Sequence, residues 1–142
     1  MAKVALEQCN VEKMICLDNS SAMLEVERQK ISSSYVEFLK LPMEGIDYDS
    51  QFDVISSILV NHYLSYEERM IAVRNCYHAL KEEGIYIIFE NFTPCDGTMK
   101  KLYLKRWEKN QYSKGKSIKE CGFRSIEIFW CSYMQVGILA RK

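Results

Sequence analysis

Short, uniformly apolar runs alternate along this chain with stretches whose apolar residues recur every three or four positions, and the C-terminal part changes to strict alternation. Each pattern predicts an element. Met14, Ile15, Cys16 and Leu17 form an apolar run of the kind a parallel strand covered on both faces requires, and Asp18 ends it. Residues 35–39 give a second short strand that runs into Lys40-Leu41-Pro42, where the proline stops it. The run Phe52-Asp-Val-Ile-Ser-Ser-Ile-Leu-Val60 is the strongest buried-strand candidate, and residues 85–89 supply another. Between the strands, residues 2–9 read as the end of a helix with Val4, Ala5 and Leu6 inward and Asn10 as a left-handed C-cap. Residues 20–30 follow a Ser20 or Ser21 cap, with Met23 and Leu24 turned inward. Ser65 and Glu68 make a capping box, after which Met70, Val73, Tyr77 and Leu80 keep helical spacing until Gly84. Residues 44–51, with Gly45 and three acids, suit a solvated loop. Pro94 and Gly97 bracket a break, and Met99, Leu102, Tyr103 and Trp107 suggest one more helix. From Arg124, Ile126, Ile128 and Trp130 and then Met134, Val136, Ile138 and Ala140 alternate as in a terminal β-hairpin. The sum is an α/β, doubly wound fold with a C-terminal antiparallel hairpin, in a single domain over residues 1–142.

Composition narrows the partners. At 142 residues and 48% hydrophobic, the chain is long enough for a real core and resembles neither a disordered nor a membrane-spanning sequence. Its formal charge of zero does not indicate attraction to nucleic acid. The distribution is uneven: residues 1–99 carry 16 acids against 8 bases, whereas 100–116 carry 7 bases and one acid. Interleaved with Tyr103, Trp107 and Tyr112, those bases fit either a surface for RNA or an acidic substrate, or a solvated helix face over an aromatic stripe. Six cysteines without a Cys-x-x-Cys pair read as reduced thiols and a cytoplasmic location, and two histidines without ligand spacing give no metal site. The N-terminus does not read as a signal peptide.

Strand ends carry the candidate chemistry. Asp18, at the C-terminal edge of its strand, lies where open α/β sheets bind ligands, and a carboxylate there can accept from both hydroxyls of a ribose; alternatively it only begins a loop. If the strands are parallel, the 52–60 run delivers Asn61, His62 and Tyr63 to the same edge. His62 can serve as a base on a substrate hydroxyl or amine or pack in a loop, and Tyr63 can stack on a substrate or sit in the core. Glu90 and Asn91 end the next strand, where they orient a substrate or cap a turn.

In order and spacing these pieces resemble the class I S-adenosylmethionine-dependent methyltransferases. The stretch Asp18-Asn-Ser20-Ser-Ala-Met23-Leu24 is similar to the family's acid-x-Ser-x-x-Met-Leu after a strand, and Glu37-Phe38-Leu39-Lys40-Leu41-Pro42 to its acid-Ala-x-x-Leu-Pro. Phe52-Asp53-Val54-Ile55 resembles the fourth strand. His78-Ala-Leu80-Lys-Glu-Glu-Gly84 resembles the Leu-x-Pro-Gly-Gly turn without its proline, and Cys121-Gly122-Phe123 the Ala-Gly-Phe before the closing hairpin. The resemblance implies S-adenosyl-L-methionine as cofactor, with its ribose at Asp18 and Asn19, its adenine at Glu37 and Phe38, and Asn61 at the same edge. It implies a small-molecule methyl acceptor, for which the strand-end position makes His62 and Tyr63 the catalytic candidates.

Two departures shape the expectation further. The family's first strand and its glycine-rich loop would precede Met1 and are missing from this chain, and the connection from Tyr112 to Gly122 is shorter than in relatives. That strand lies between the Asp18 strand and the Phe52 strand, so both would have an open edge. The alternative to an enzyme is therefore a non-catalytic, methyltransferase-like partner module, a homo-oligomer among the options, that completes its sheet with another chain. A receiver-like regulator also fits alternating strands and helices, but leaves the closing hairpin unexplained.

Overall fold

The computed structural model describes residues 2–91, 118, 120–132 and 135–142. The break at Pro94 and Gly97, the helix expected around Trp107 and the basic stretch 100–116 lie outside the described residues. The chain divides into two compact units, Met1–Ile46 and Asp47–Lys142.

The first unit holds helix α1 (Ala2–Gln8), strand β1 (Met14–Asp18), helix α2 (Ser21–Lys30), strand β2 (Val36–Lys40) and a 3₁₀ turn at Met43–Gly45. β1 and β2 pair in parallel with Cys16 opposite Phe38 and Asp18 opposite Lys40, and α2 packs on both. Ser20 caps α2, its Oγ accepting the Met23 N–H at 3.4 Å. Leu24 is the buried residue of that helix, whereas Met23 is 53% exposed, contrary to the expected pair: adjacent helical residues differ by about 100° and cannot both face one narrow sheet. α1 buries nothing, and Val4 faces solvent instead of a core. Asn10 is not left-handed. β1 is half-buried along its length, not enclosed on both faces.

The second unit holds strand β3 (Phe52–Ile58), a 3₁₀ turn at Asn61–Tyr63, helix α3 (Tyr66–Ala79), and strands β4 (Leu80–Asn91), β5 (Ser125–Ser132) and β6 (Gln135–Arg141). Its sheet runs β3-β4-β6-β5, with β3 and β4 parallel and β6 antiparallel to both β4 and β5, so the terminal hairpin is present as expected. The capping box is present too: Ser65 Oγ accepts the Glu68 N–H at 3.2 Å and Glu68 Oε2 accepts the Ser65 N–H at 2.8 Å, which holds the Glu68 carboxyl below its ordinary value. α3 ends earlier than Gly84 suggests. β4 already begins at Leu80, and Gly84 lies inside the strand, where a side chain would meet the Lys81 carbonyl oxygen at 2.8 Å. Ala72, Val73, Cys76 and Ala79 of α3 pack toward β4, whose Tyr86, Ile88 and Glu90 alternate as buried residues. β3, with Val54 at 53% exposure, is less enclosed than its apolar run suggests. Among the described residues β3 pairs on one edge only, with β4, and β1 pairs only with β2.

Candidate functional site

Asp18 closes β1, and its Oδ1 accepts the Ser20 N–H at 2.7 Å, so the carboxylate is fixed at the start of α2. Oδ2 takes no hydrogen bond among the described residues, and the exposed Asn19 lies beside it. A half-buried carboxylate with one oxygen anchored and the other open fits a ribose diol. Two residues back along the paired strand, Phe38 is covered by the Arg28 guanidinium, 5.4 Å from its ring centroid, and its carbonyl accepts from Arg28 Nη2 at 3.3 Å. Glu37 is on the opposite face of β2 by strand alternation and pairs with Lys13 at 3.4 Å. The two expected adenine contacts thus face opposite ways, each with a partner from its own unit. Burial raises the nearby Cys16 thiol, with Glu27 adding to the effect, so it stays a neutral side chain.

The second unit brings Asn61, His62 and Tyr63 together with Glu90. β3 leaves its pleat at Leu59, whose φ of 57° is left-handed and whose N–H donates to the Phe89 carbonyl at 2.8 Å. A bulky residue in that conformation costs about 1–2 kcal/mol, which the surrounding contacts must offset. The chain then folds into the Asn61–Tyr63 turn directly over the end of β4. Glu90 is 2% exposed, and each of its carboxylate oxygens is used: Oε1 accepts the Asn61 N–H at 2.9 Å and Oε2 lies 3.0 Å from His62 Nδ1. Because a carboxylate only accepts, the neutral imidazole presents Nδ1–H to it and keeps a lone pair on Nε2. The His62 side chain is 36% exposed, so that nitrogen can reach a ligand. Tyr63, 81% exposed, sets its ring 4.0 Å from that of His62.

Asn61 is buried, with Nδ2 donating to Ser57 Oγ at 2.9 Å, and Ser57 Oγ lies 3.0 Å from the Tyr86 hydroxyl. Its Oδ1 is buried without a partner. Tyr86 in turn hydrogen-bonds Cys76. Burial raises the Tyr86 hydroxyl far above its ordinary range, with Cys76 adding to the effect. Sequence reasoning found the three residues after β3 and noted Glu90 at a strand end. It missed that Glu90 binds the turn, and missed Ser57 and Tyr86 altogether. Polar residues at alternating inward positions of an apolar strand were the available signal.

Residues 1–88 match the model of the family described as "Methyltransferase domain". Among solved structures, an S-adenosylmethionine-dependent methyltransferase from Mesorhizobium loti superposes with a TM-score of 0.74 at 16% identity, covering 99% of this chain and 85% of that one. The chain that forms a complex with the Haloferax volcanii Trm112 methyltransferase activator gives 0.77 at 9% identity, covering 99% and 75%. A possible exported protein from Bordetella parapertussis gives 0.73 at 13% identity; 96% of this chain is covered, and it spans 57% of that protein's length. No curated protein sequence matches the chain. At these identities the likenesses show the fold, a Rossmann-like methyltransferase sheet.

Proposed function

The chain belongs to the methyltransferase-domain family, whose cofactor is S-adenosyl-L-methionine, and we propose that it transfers a methyl group to a small molecule whose nucleophile carries a proton that His62 removes. The observation that carries this reading is the contact of His62 Nδ1 with buried Glu90 at 3.0 Å. When bound, the cofactor supplies a sulfonium methyl already activated for transfer, so little acid chemistry is asked of the protein. What the chain must do is orient the acceptor and take its proton. Asp18 and Asn19 would hold the ribose, and the exposed Tyr63 ring offers a face on which the acceptor rests beside His62. The acceptor's proton would pass to His62 Nε2, and Glu90 would stabilise the resulting imidazolium through Nδ1–H. General-base catalysis of this kind contributes about 10²–10⁴-fold. Methyl transfer to a panel of small hydroxyl and amine acceptors, compared between wild type and His62→Gln, tests it. A loss of that size is expected, and equal rates would overturn the reading.

In this reading residues 1–142 act as one methyltransferase domain in the cytoplasm, a placement supported by the free thiols of the described cysteines. A second reading is favoured by one observation: β1 and β3 each pair on a single edge among the described residues. Open edges of parallel strands invite another chain, so the alternative is a partner module that completes its sheet in trans, with a second copy or a relative. Sedimentation at low concentration alongside the methyl-transfer assay separates the two. A monomer with turnover supports the enzyme, whereas an obligate oligomer without turnover supports the module.

A further inference from the structure

The Asn61–Tyr63 turn that carries His62 has little to hold it from within. It is three residues long, its own closing bonds are Tyr63 N–H to the Val60 carbonyl at 3.1 Å and Leu64 N–H to the Asn61 carbonyl at 3.4 Å, and it follows a left-handed Leu59. Short 3₁₀ turns with bonds of that length are marginal. Glu90 holds the turn from the side of its N–H groups. From the other side comes Arg69, in the first half of α3, whose Nε donates to the Asn61 carbonyl at 3.0 Å and whose Nη2 donates to the Leu64 carbonyl at 3.0 Å. One guanidinium therefore spans both ends of the segment 61–64.

We propose that Arg69 is a positioning residue: its fork clamps the turn against α3 and thereby holds the His62 ring on Glu90 in the single tautomer that leaves Nε2 free. The geometry suits arginine and not lysine. Nε and Nη2 lie in one plane at fixed separation and can serve two carbonyls at once, whereas an ammonium on a flexible stem gives one directed bond at a time. The fork is also projected from a rigid base, because the Ser65–Glu68 capping box fixes the first turn of α3 just before it. With the clamp on the carbonyls and Glu90 on the amide side, the turn is held through both its donors and its acceptors. Losing either leaves His62 on a three-residue loop.

The inference rests on His62 as the base, and its test does not use methyl transfer. The chain has two histidines, so His78, on the other end of α3, is an internal reference. Ring ¹⁵N resonances of both are recorded on the full chain at a pH above the ordinary histidine range of about 6.5. Wild type is expected to show His62 as one Nδ1–H tautomer. Arg69→Gln should move its two nitrogens toward tautomer-averaged positions while His78 stays in place, and Arg69→Lys should fall between. A His62 spectrum unchanged in both variants would overturn the proposal. If Gln at 69 unfolds the chain, seen as collapse of the His78 resonances, the Lys variant decides on the same criterion. Unaltered methyl transfer in His62→Gln would instead remove the base and leave the clamp result standing.

Discussion

Ser57 Oγ and the Tyr86 hydroxyl meet at 3.0 Å across the β3–β4 pair, although neither is the other's register partner: Ser57 is opposite Ile88 and Tyr86 is opposite Ile55. The contact is the diagonal one available to a long side chain on the same face of a sheet. It makes Tyr86, which is fully buried, the middle of a polar path that runs from Asn61 Nδ2 through Ser57 to Tyr86 and on to Cys76. The interior under the His62 turn is thus polar, and of the Asn61 amide, Nδ2 is paired within it while Oδ1 is not.

Tyr86→Phe should therefore cost stability out of proportion to one oxygen. The ring still packs on Phe123, 5.9 Å away in a stacked arrangement, so little apolar contact is lost. Ser57 and Cys76, however, lose a buried partner, and leaving such groups unsatisfied costs about 1–3 kcal/mol. Urea denaturation should show the midpoint falling with an unchanged slope. A loss below about 0.5 kcal/mol, the range of a neutral surface change, would mean the path contributes little.

The same path predicts an alkaline weakness. Burial pushes the Cys76 thiol from its ordinary 9.0 up to about 12, against the lowering effect of its hydrogen bond with Tyr86. A folded-state value above the unfolded one means the native state holds a proton that the unfolded state gives up. The associated stability is whole below pH 9 and is lost as pH rises from there through about 12. One group gives a slope of about 1.4 kcal/mol per pH unit in that window, or about 2 kcal/mol between pH 9 and 10.5. Tyr86 acts in the same direction above its ordinary 10.0. Unfolding free energies of wild type and Cys76→Ala, measured across pH 8 to 10.5, should diverge in slope by about one proton; parallel curves would refute the assignment.

How much of this was legible follows from the kind of signal each element carries. β1, α2, the capping box and the β5–β6 hairpin are written in local chemistry: an apolar run, a serine at a cap, a Ser65–Glu68 spacing, an alternation. Each is found where the sequence puts it, within a residue or so. The end of α3 was misread because Gly84 looks like a C-cap, whereas the helix yields at Leu80 to a β4 ladder that only the pairing with β3 and β6 reveals. The exposure of Met23 and Val54 was equally non-local, since it depends on what covers each face. At the site, the sequence placed Asn61, His62 and Tyr63 after a strand, but binding Glu90 to them took a contact between residues 28 and 29 positions apart.

Asp18 provides the last prediction, because its two oxygens have separable tasks. Oδ1 accepts the Ser20 N–H at 2.7 Å and so helps start α2, while Oδ2 is the atom proposed to meet the cofactor ribose. Asp18→Ala removes both. It should weaken S-adenosylhomocysteine binding by about 1–3 kcal/mol, the cost of unpairing hydrogen-bonded hydroxyls, and also lower stability through the lost contact at the helix start, by about 1 kcal/mol. Asp18→Asn keeps an acceptor for Ser20 but replaces the second with a donor, which the ribose hydroxyls do not need. The Asn variant should therefore melt close to wild type and still bind more weakly, and calorimetry with thermal denaturation on the three proteins reads both quantities. Affinity retained in both variants would remove Asp18 from the site, whereas affinity lost only in the Ala variant, together with its stability, would make Asp18 a helix-start residue alone.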